Sequence, residues 1–376
     1  VVSFFVSSPP SARRFRIAAQ CSNLTGTASS RFPRIRAFVA CWTPRVIALA
    51  QRYPGVLALF GLVSGLISFF TVDRHEGFAR GIAVVMVVSW LWLVLEKTVS
   101  QRVADRFGVS LPTPVLRYVT QMIHQESFFF VLPFLYAATT WNSGQALFTG
   151  LLGAAALVAL IDPLYYRWLA KQRWVFLTYH TLSLFAVLLT ALPLLFNLRT
   201  GESYRLALGV AVVLAFPTLA GLITLQTWTR RIAVVALMAA LAGGGWFARV
   251  WVPPATLRLS DAALALRLDT GNPTPEKRLK EVTVAQLRAG GLYAYTAVAA
   301  PLGLKEHIYH VWRHEGREVD RIAIDIRGGR KEGYRAWTHK VNFPPNPAGR
   351  WEVRVLTDAG QMIGVMRFEA IAEGGP

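Results

Sequence analysis

Histidine and tryptophan offer this chain most of its chemistry, and four of its seven histidines, His307, His310, His314 and His339, fall in the last quarter. His310 and His314 stand four apart, the spacing at which two imidazoles on a helix face one zinc ion. The surrounding text alternates as a strand, however. That sets His310, Trp312 and His314 on one face and spreads them over about 13 Å at roughly 3.3 Å per residue. The spread is too wide for one metal, and His307 points to the opposite face. No metal or other cofactor is expected. The chain also has no G-x-S-x-G elbow, H-E-x-x-H or phosphate-binding loop, so hydrolase and nucleotide chemistry lack a motif and catalysis is not the favoured reading.

The aromatic residues point to binding. Trp312, Trp337 and Trp351 crowd a short stretch with Tyr309 and Tyr334. Trp337, Arg335, His339 and Lys340, together with Trp312, form a candidate ligand face able to stack on sugars or dock a protein strand. The competing expectation is structural: Trp351 alternates with Val353 and Val355 as core residues do, and Trp312 is read as its companion. Large core side chains are needed here because both cysteines, Cys21 and Cys41, lie near the N-terminus and leave the rest of the chain without disulfides.

The elements that must position these residues fall into two kinds. Hydrophobic residues make up 53% of the 376 and charged residues only 16%, too apolar a balance for an ordinary water-soluble protein. Apolar runs at Gly55–Val72, Ala79–Leu95, Phe128–Thr140, Ala146–Ile161, Trp174–Phe196, Leu206–Leu225 and Ile232–Val252 predict a membrane α-helical bundle of about seven spans. Thr98–Gln125 is too polar to span and reads as a helix lying in the interface. The net charge of +19 does not imply nucleic acid, because the cations sit in short loops between apolar runs. Loops assigned to the cytoplasm hold 17 Lys and Arg; the others hold four, Arg74, Arg80, Arg199 and Arg205. This bias predicts an inner-membrane protein with its N-terminus inside and its C-terminal domain outside. Within the spans, His180 is the ionisable residue placed well inside, and Asp162 sits at a span end before Pro163. A transporter or membrane-embedded enzyme would draw on these two; the plainer expectation is a helix-to-helix hydrogen bond and a loop cap.

Beyond Val252 the chain reads as a linker over 253–289 and then as an all-β, immunoglobulin-like sandwich over 290–376. Residues 1–53 read as a disordered basic tail and 54–252 as the membrane domain. The strand evidence is the period-two alternation of Ile322, Ile324 and Ile326 and of Trp351, Val353 and Val355.

Three elements of that region, His310-Val311-Trp312, Trp337-Thr338-His339-Lys340 and Gly349-Arg350-Trp351-Glu352-Val353, are followed by the turn Asp358-Ala359-Gly360. In these the chain resembles a bacterial family of unknown function, domain of unknown function 2914. The preceding segment, with Ile161-Asp162-Pro163-Leu164-Tyr165-Tyr166, is similar to the multi-span membrane region that accompanies it. The resemblance implies an architecture and no catalytic residues. The expected function is a membrane-anchored protein that presents its sandwich outside the cytoplasm to bind envelope polysaccharide or an envelope protein. Its expected surroundings are the lipid bilayer and that partner.

Overall fold

The computed structural model describes residues 76–107, 113–222, 227–269, 274–330 and 332–372. The predicted basic tail and the span Gly55–Val72 lie outside these residues. A helical region comes first and a β-sheet domain follows.

Among the described residues, six helices precede the β domain: α1 (Glu76–Phe107), α2 (Thr113–Ala138), α3 (Gln145–Leu160), α4 (Arg173–Phe196), α5 (Thr200–Leu222) and α6 (Trp228–Ala248). A short π-helix, Pro163–Trp168, links α3 to α4, and a 3-10 turn, Arg249–Trp251, follows α6. Three described helices are long and apolar enough to cross a membrane: Gly77–Glu96, Arg173–Phe196 and Trp228–Trp251. Gln145–Leu160 with Pro163–Lys171, bent by 92°, would make a fourth. The predicted number was about seven. The apolar side chains of α6 are largely uncovered: Ile232, Val235, Leu241 and Phe247 are 43 to 78% exposed.

The stretch read as an interfacial helix is corrected. Its second half is the start of α2, which runs unbroken through Phe128 and Pro133. Hydropathy understates this segment because its polar residues His124 and Ser127 are buried and satisfied inside the fold.

The β domain has strands β1 (Arg258–Ala265), β2 (Leu268–Asp269), β3 (Thr274–Pro275), β4 (Glu281–Thr283), β5 (Leu292–Ala299), β6 (Lys305–His314), β7 (Arg317–Arg327), β8 (Tyr334–Lys340), β9 (Gly349–Thr357) and β10 (Met362–Ile371). One sheet is ordered β1-β5-β8 and another β4-β10-β9-β6-β7. They share one core: Leu264, Leu292 and Val298 come from the first, and Ile308, Trp312, Trp351, Val353 and Phe368 from the second. The segment read as a linker therefore belongs to the fold. β1 pairs with β5, β4 runs parallel to the end of β10, and the short helix α7 (Val284–Gly290) is closed by a capping box between Thr283 and Gln286. A register shift between Leu259 and Asp261 interrupts the alternation of β1, which is why its period was not visible.

By contact the chain divides into two compact units, and the β domain falls within the larger, residues 63–90 and 122–376. The described part of the smaller unit consists of the C-terminal half of α1 and the first turns of α2. Inside the larger unit the β domain is fastened to helix ends. The Thr200 N–H donates to Glu306 Oε2 at 2.6 Å, Gln145 Nε2 to the Met362 carbonyl at 2.8 Å, and Gln361 Nε2 to the Val252 carbonyl at 2.9 Å. Arg249 Nε donates to the Ala359 carbonyl at 3.0 Å and Arg80 to that of Leu302 at 3.1 Å. Gly303, at φ +89°, lets its loop lie on Asn197, where a Cβ would come within 3.3 Å of the amide. The helical contributions come from the start of α1, the α2–α3 turn, the α4–α5 turn and the end of α6.

Candidate functional site

Strand β8 decides the fate of the predicted ligand face. Successive side chains alternate sides, so Arg335, Trp337 and His339 share one face while Ala336, Thr338 and Lys340 point to the core. In register on β5 lie Ala297, Tyr295 and Tyr293. Tyr293 stacks on His339 at 3.9 Å between ring centroids and 1° between planes. Trp337 is 38% exposed. His339 Nε2 lies 2.8 Å from the Gly290 carbonyl, and since a carbonyl only accepts, Nε2 carries the proton. Gly291, at φ +72°, permits this approach: a Cβ there would sit 2.4 Å from the Lys340 carbonyl. Arg335 is held by Glu332 at 2.9 Å. Nearer β1, Arg278 grips Asp261 with two bonds of 2.7 Å. Part of the face is closed by β2, since Leu268 packs over Ala263, Tyr295 and Ala297. Burial first, then the nearby Asp261 carboxylate, raises the Tyr295 phenol above its ordinary range, while Arg335 lowers it. The open portion is therefore a strip of Tyr293, His339 and Trp337 with the Arg335 guanidinium at its end.

Two residues of the predicted face lie elsewhere. Trp312 is fully buried between Phe343 and Phe368 in the shared core. Lys340 is buried too, its ammonium 2.7 Å from Asp320 Oδ2 and 5.6 Å from the Phe343 ring centroid. Lys340 stands three residues from Trp337, and an odd step along a strand changes faces, so the sequence already carried that signal.

The three remaining histidines of the β domain make contacts that hold the fold. His310 bridges the sheets, with Nε2 3.1 Å from Thr296 Oγ1 and Nδ1 3.0 Å from Thr338 Oγ1. His314 stacks on Trp351 and meets the Ala348 carbonyl, and His307 meets Asp325. Among the described residues no three His, Cys, Asp or Glu side chains gather as a metal site.

A second cluster lies among the helices. His180 on α4 meets a residue the sequence reading passed over, His124 on α2: His180 Nδ1 and His124 Nε2 are 3.0 Å apart. His124 Nδ1 is 2.8 Å from the Tyr165 hydroxyl. Trp90 lies against the His180 ring at 4.7 Å and donates its indole N–H to Ser127 Oγ at 2.9 Å. With both imidazoles neutral, the chain has two proton arrangements. If Tyr165 donates, His124 donates onward and His180 Nε2 bears a proton; if Tyr165 accepts, His180 Nε2 is bare. Asp162 lies exposed at the start of the π-helix that carries Tyr165.

Comparison with known proteins yields families without an assigned activity. Residues 37–294 match a Family of unknown function (DUF5924), and residues 305–370 match a Protein of unknown function (DUF2914). No curated protein matches the chain. Among solved structures, the Pseudomonas fluorescens alkylpurine DNA glycosylase AlkC bound to DNA containing an abasic site analog aligns with 80% of this chain and 99% of its own. The identity is 12% and the TM-score 0.21, a likeness too weak to carry an argument.

Proposed function

The chain belongs to the family of unknown function DUF5924, and we propose that it is a multi-pass membrane protein whose β domain binds envelope polysaccharide outside the cytoplasm. About seven spans are inferred by adding Gly55–Val72, the second half of α2, α3 and the apolar run of α5 to the three helices that meet the length criterion. Support for the orientation comes from the fastening of the β domain. Among the described residues, the helix ends that hydrogen-bond to it belong to the side poor in Lys and Arg, the side read as outer. An immunoglobulin-like sandwich is consistent with two sheets over one core.

One observation carries the binding reading: Trp337 stands exposed on a flat sheet face beside the Tyr293–His339 stack and Arg335. Flat rings stack on the apolar faces of sugars, and the guanidinium supplies donors at the edge. Replacing Trp337 by Ala is expected to weaken retention on immobilised envelope polysaccharide about tenfold, equivalent to ~1.4 kcal/mol, with the urea midpoint of the β domain unchanged. Unaltered retention would end the reading. Loss of a crosslinked protein instead of a glycan would transfer the face to an envelope protein.

A second reading, transport or membrane-embedded catalysis, draws on the Tyr165–His124–His180 chain, which can pass a proton along its length. It ranks second because the residues shown to reach the two histidines, Tyr165 and Trp90, carry no charge.

A further inference from the structure

We propose that a groove in the helical region holds one acyl chain of an anionic phospholipid, with the phosphate held by Arg205 and Arg249. This rests on the membrane reading above. The groove has a volume of about 530 Å³ and is lined by Leu151 of α3, Leu182 of α4 and Leu241 of α6 among others. Its floor is shaped by small residues, Ala211, Ala215 and Gly245. It exists because α4 packs along α5 and α5 along α6, whereas α3 meets the short helices at either end, Pro163–Trp168 and Arg249–Trp251. The α6 side of the lining runs from Leu237 to Val252, about 22 Å at 1.5 Å per residue, against a hydrocarbon thickness of roughly 30 Å.

The chemistry of the lining selects hydrocarbon. Two of its three hydroxyls are already spent: Tyr204 donates to the Gly245 carbonyl at 2.5 Å and Thr178 to that of Trp174 at 3.0 Å, leaving Thr181. Water entering the groove would find few partners. Beside its outer end the charge reverses the demand. Arg205 and Arg249 lie 5.3 and 4.5 Å from the Trp246 ring centroid, and Trp246 itself touches Tyr204. Arg249 donates to two neutral carbonyls, those of Ala359 and Trp246. Among the described residues neither guanidinium forms an ion pair with a carboxylate. Two guanidiniums on one tryptophan ring, each next in sequence to a groove-lining residue (Tyr204, Ala248) and without a carboxylate partner among the described residues, match a phosphate with a chain attached.

The test uses the full chain extracted in mild detergent, with native mass spectrometry and binding of labelled phosphatidylglycerol against labelled phosphatidylcholine. The wild type is expected to retain one phosphatidylglycerol and to prefer it at least tenfold. Arg205→Gln, which leaves the Arg249 contact with the β domain in place, should abolish the preference while zwitterionic lipid still binds. Ala211→Phe, which fills the floor, should abolish both. Retention of no lipid by a chain that sediments with membranes would overturn the groove alone, as would equal binding of both lipids by wild type and Arg205→Gln. A chain that stays in the soluble fraction would overturn the membrane reading with it.

Discussion

Trp351→Ala is expected to cost the β domain about 3–5 kcal/mol and to leave it largely unfolded. Trp351 is 1% exposed, stacks between His314 at 4.5 Å and Phe368 at 5.8 Å, and donates its indole N–H to the Pro347 carbonyl at 2.7 Å. Truncation removes the ring from both stacks, opens a cavity between the sheets and leaves the Pro347 carbonyl without its donor. Domains of this size are stable by only about 5–15 kcal/mol, so the loss takes a large share. Proteolysis of the full chain in detergent across a urea series measures it. A midpoint within error of wild type would show that the shared core does not close around this ring.

Acid should weaken the same domain through His310. Burial lowers its pKa from 6.5 to about 3. In the unfolded chain the imidazole takes up a proton below about pH 6.5, whereas the folded domain resists until about pH 3. Between those values the unfolded state holds the extra proton, so stability falls as pH falls, by about 1.4 kcal/mol per unit and about 4–5 kcal/mol in all. Asp320, held low chiefly by its hydrogen bond from Lys340, adds to the loss as pH falls through its range. Glu306 acts in the opposite sense: burial raises its pKa, so its contribution is greatest in acid and fades as pH rises. The readout is the slope of stability against pH between 4 and 6.5. His310→Gln should flatten it by about one proton, and identical slopes in variant and wild type would contradict the burial of a neutral imidazole.

Period two made β7, β9 and β10 legible, because each buries every second residue against one core. Applied to β8, the same rule would have put Arg335, Trp337 and His339 on one face and removed Lys340 from it, but that segment was not read as a strand. The rule could not say whether the side of β6 that carries Trp312 faces core or solvent, because alternation fixes parity and not direction; the partner sheet decides that. β1 was hidden by its register shift, and β2, β3 and β4, of two or three residues each, are too short to show any period. His124 was missed for a different reason. Average hydropathy treats a buried imidazole as a solvated one, so Thr113–Gln125 looked like a surface helix. Only the approach of α4 and the π-helix, which supply His180 and Tyr165, shows why a histidine is tolerated there. The fastening of the β domain was equally invisible, since Glu306, Gln361 and Gln145 acquire their partners from residues 106 to 217 positions away.

On the proposed topology the helices span a membrane and hold the β domain outside the cytoplasm. Paired reporter fusions test it most directly, one reporter active only outside the cytoplasm and one only inside, each placed after Val252 and in the loop between Lys97 and Arg117. Outside-only activity is expected after Val252 and inside-only activity in the loop. Cytoplasmic activity from the fusion after Val252 would contradict it.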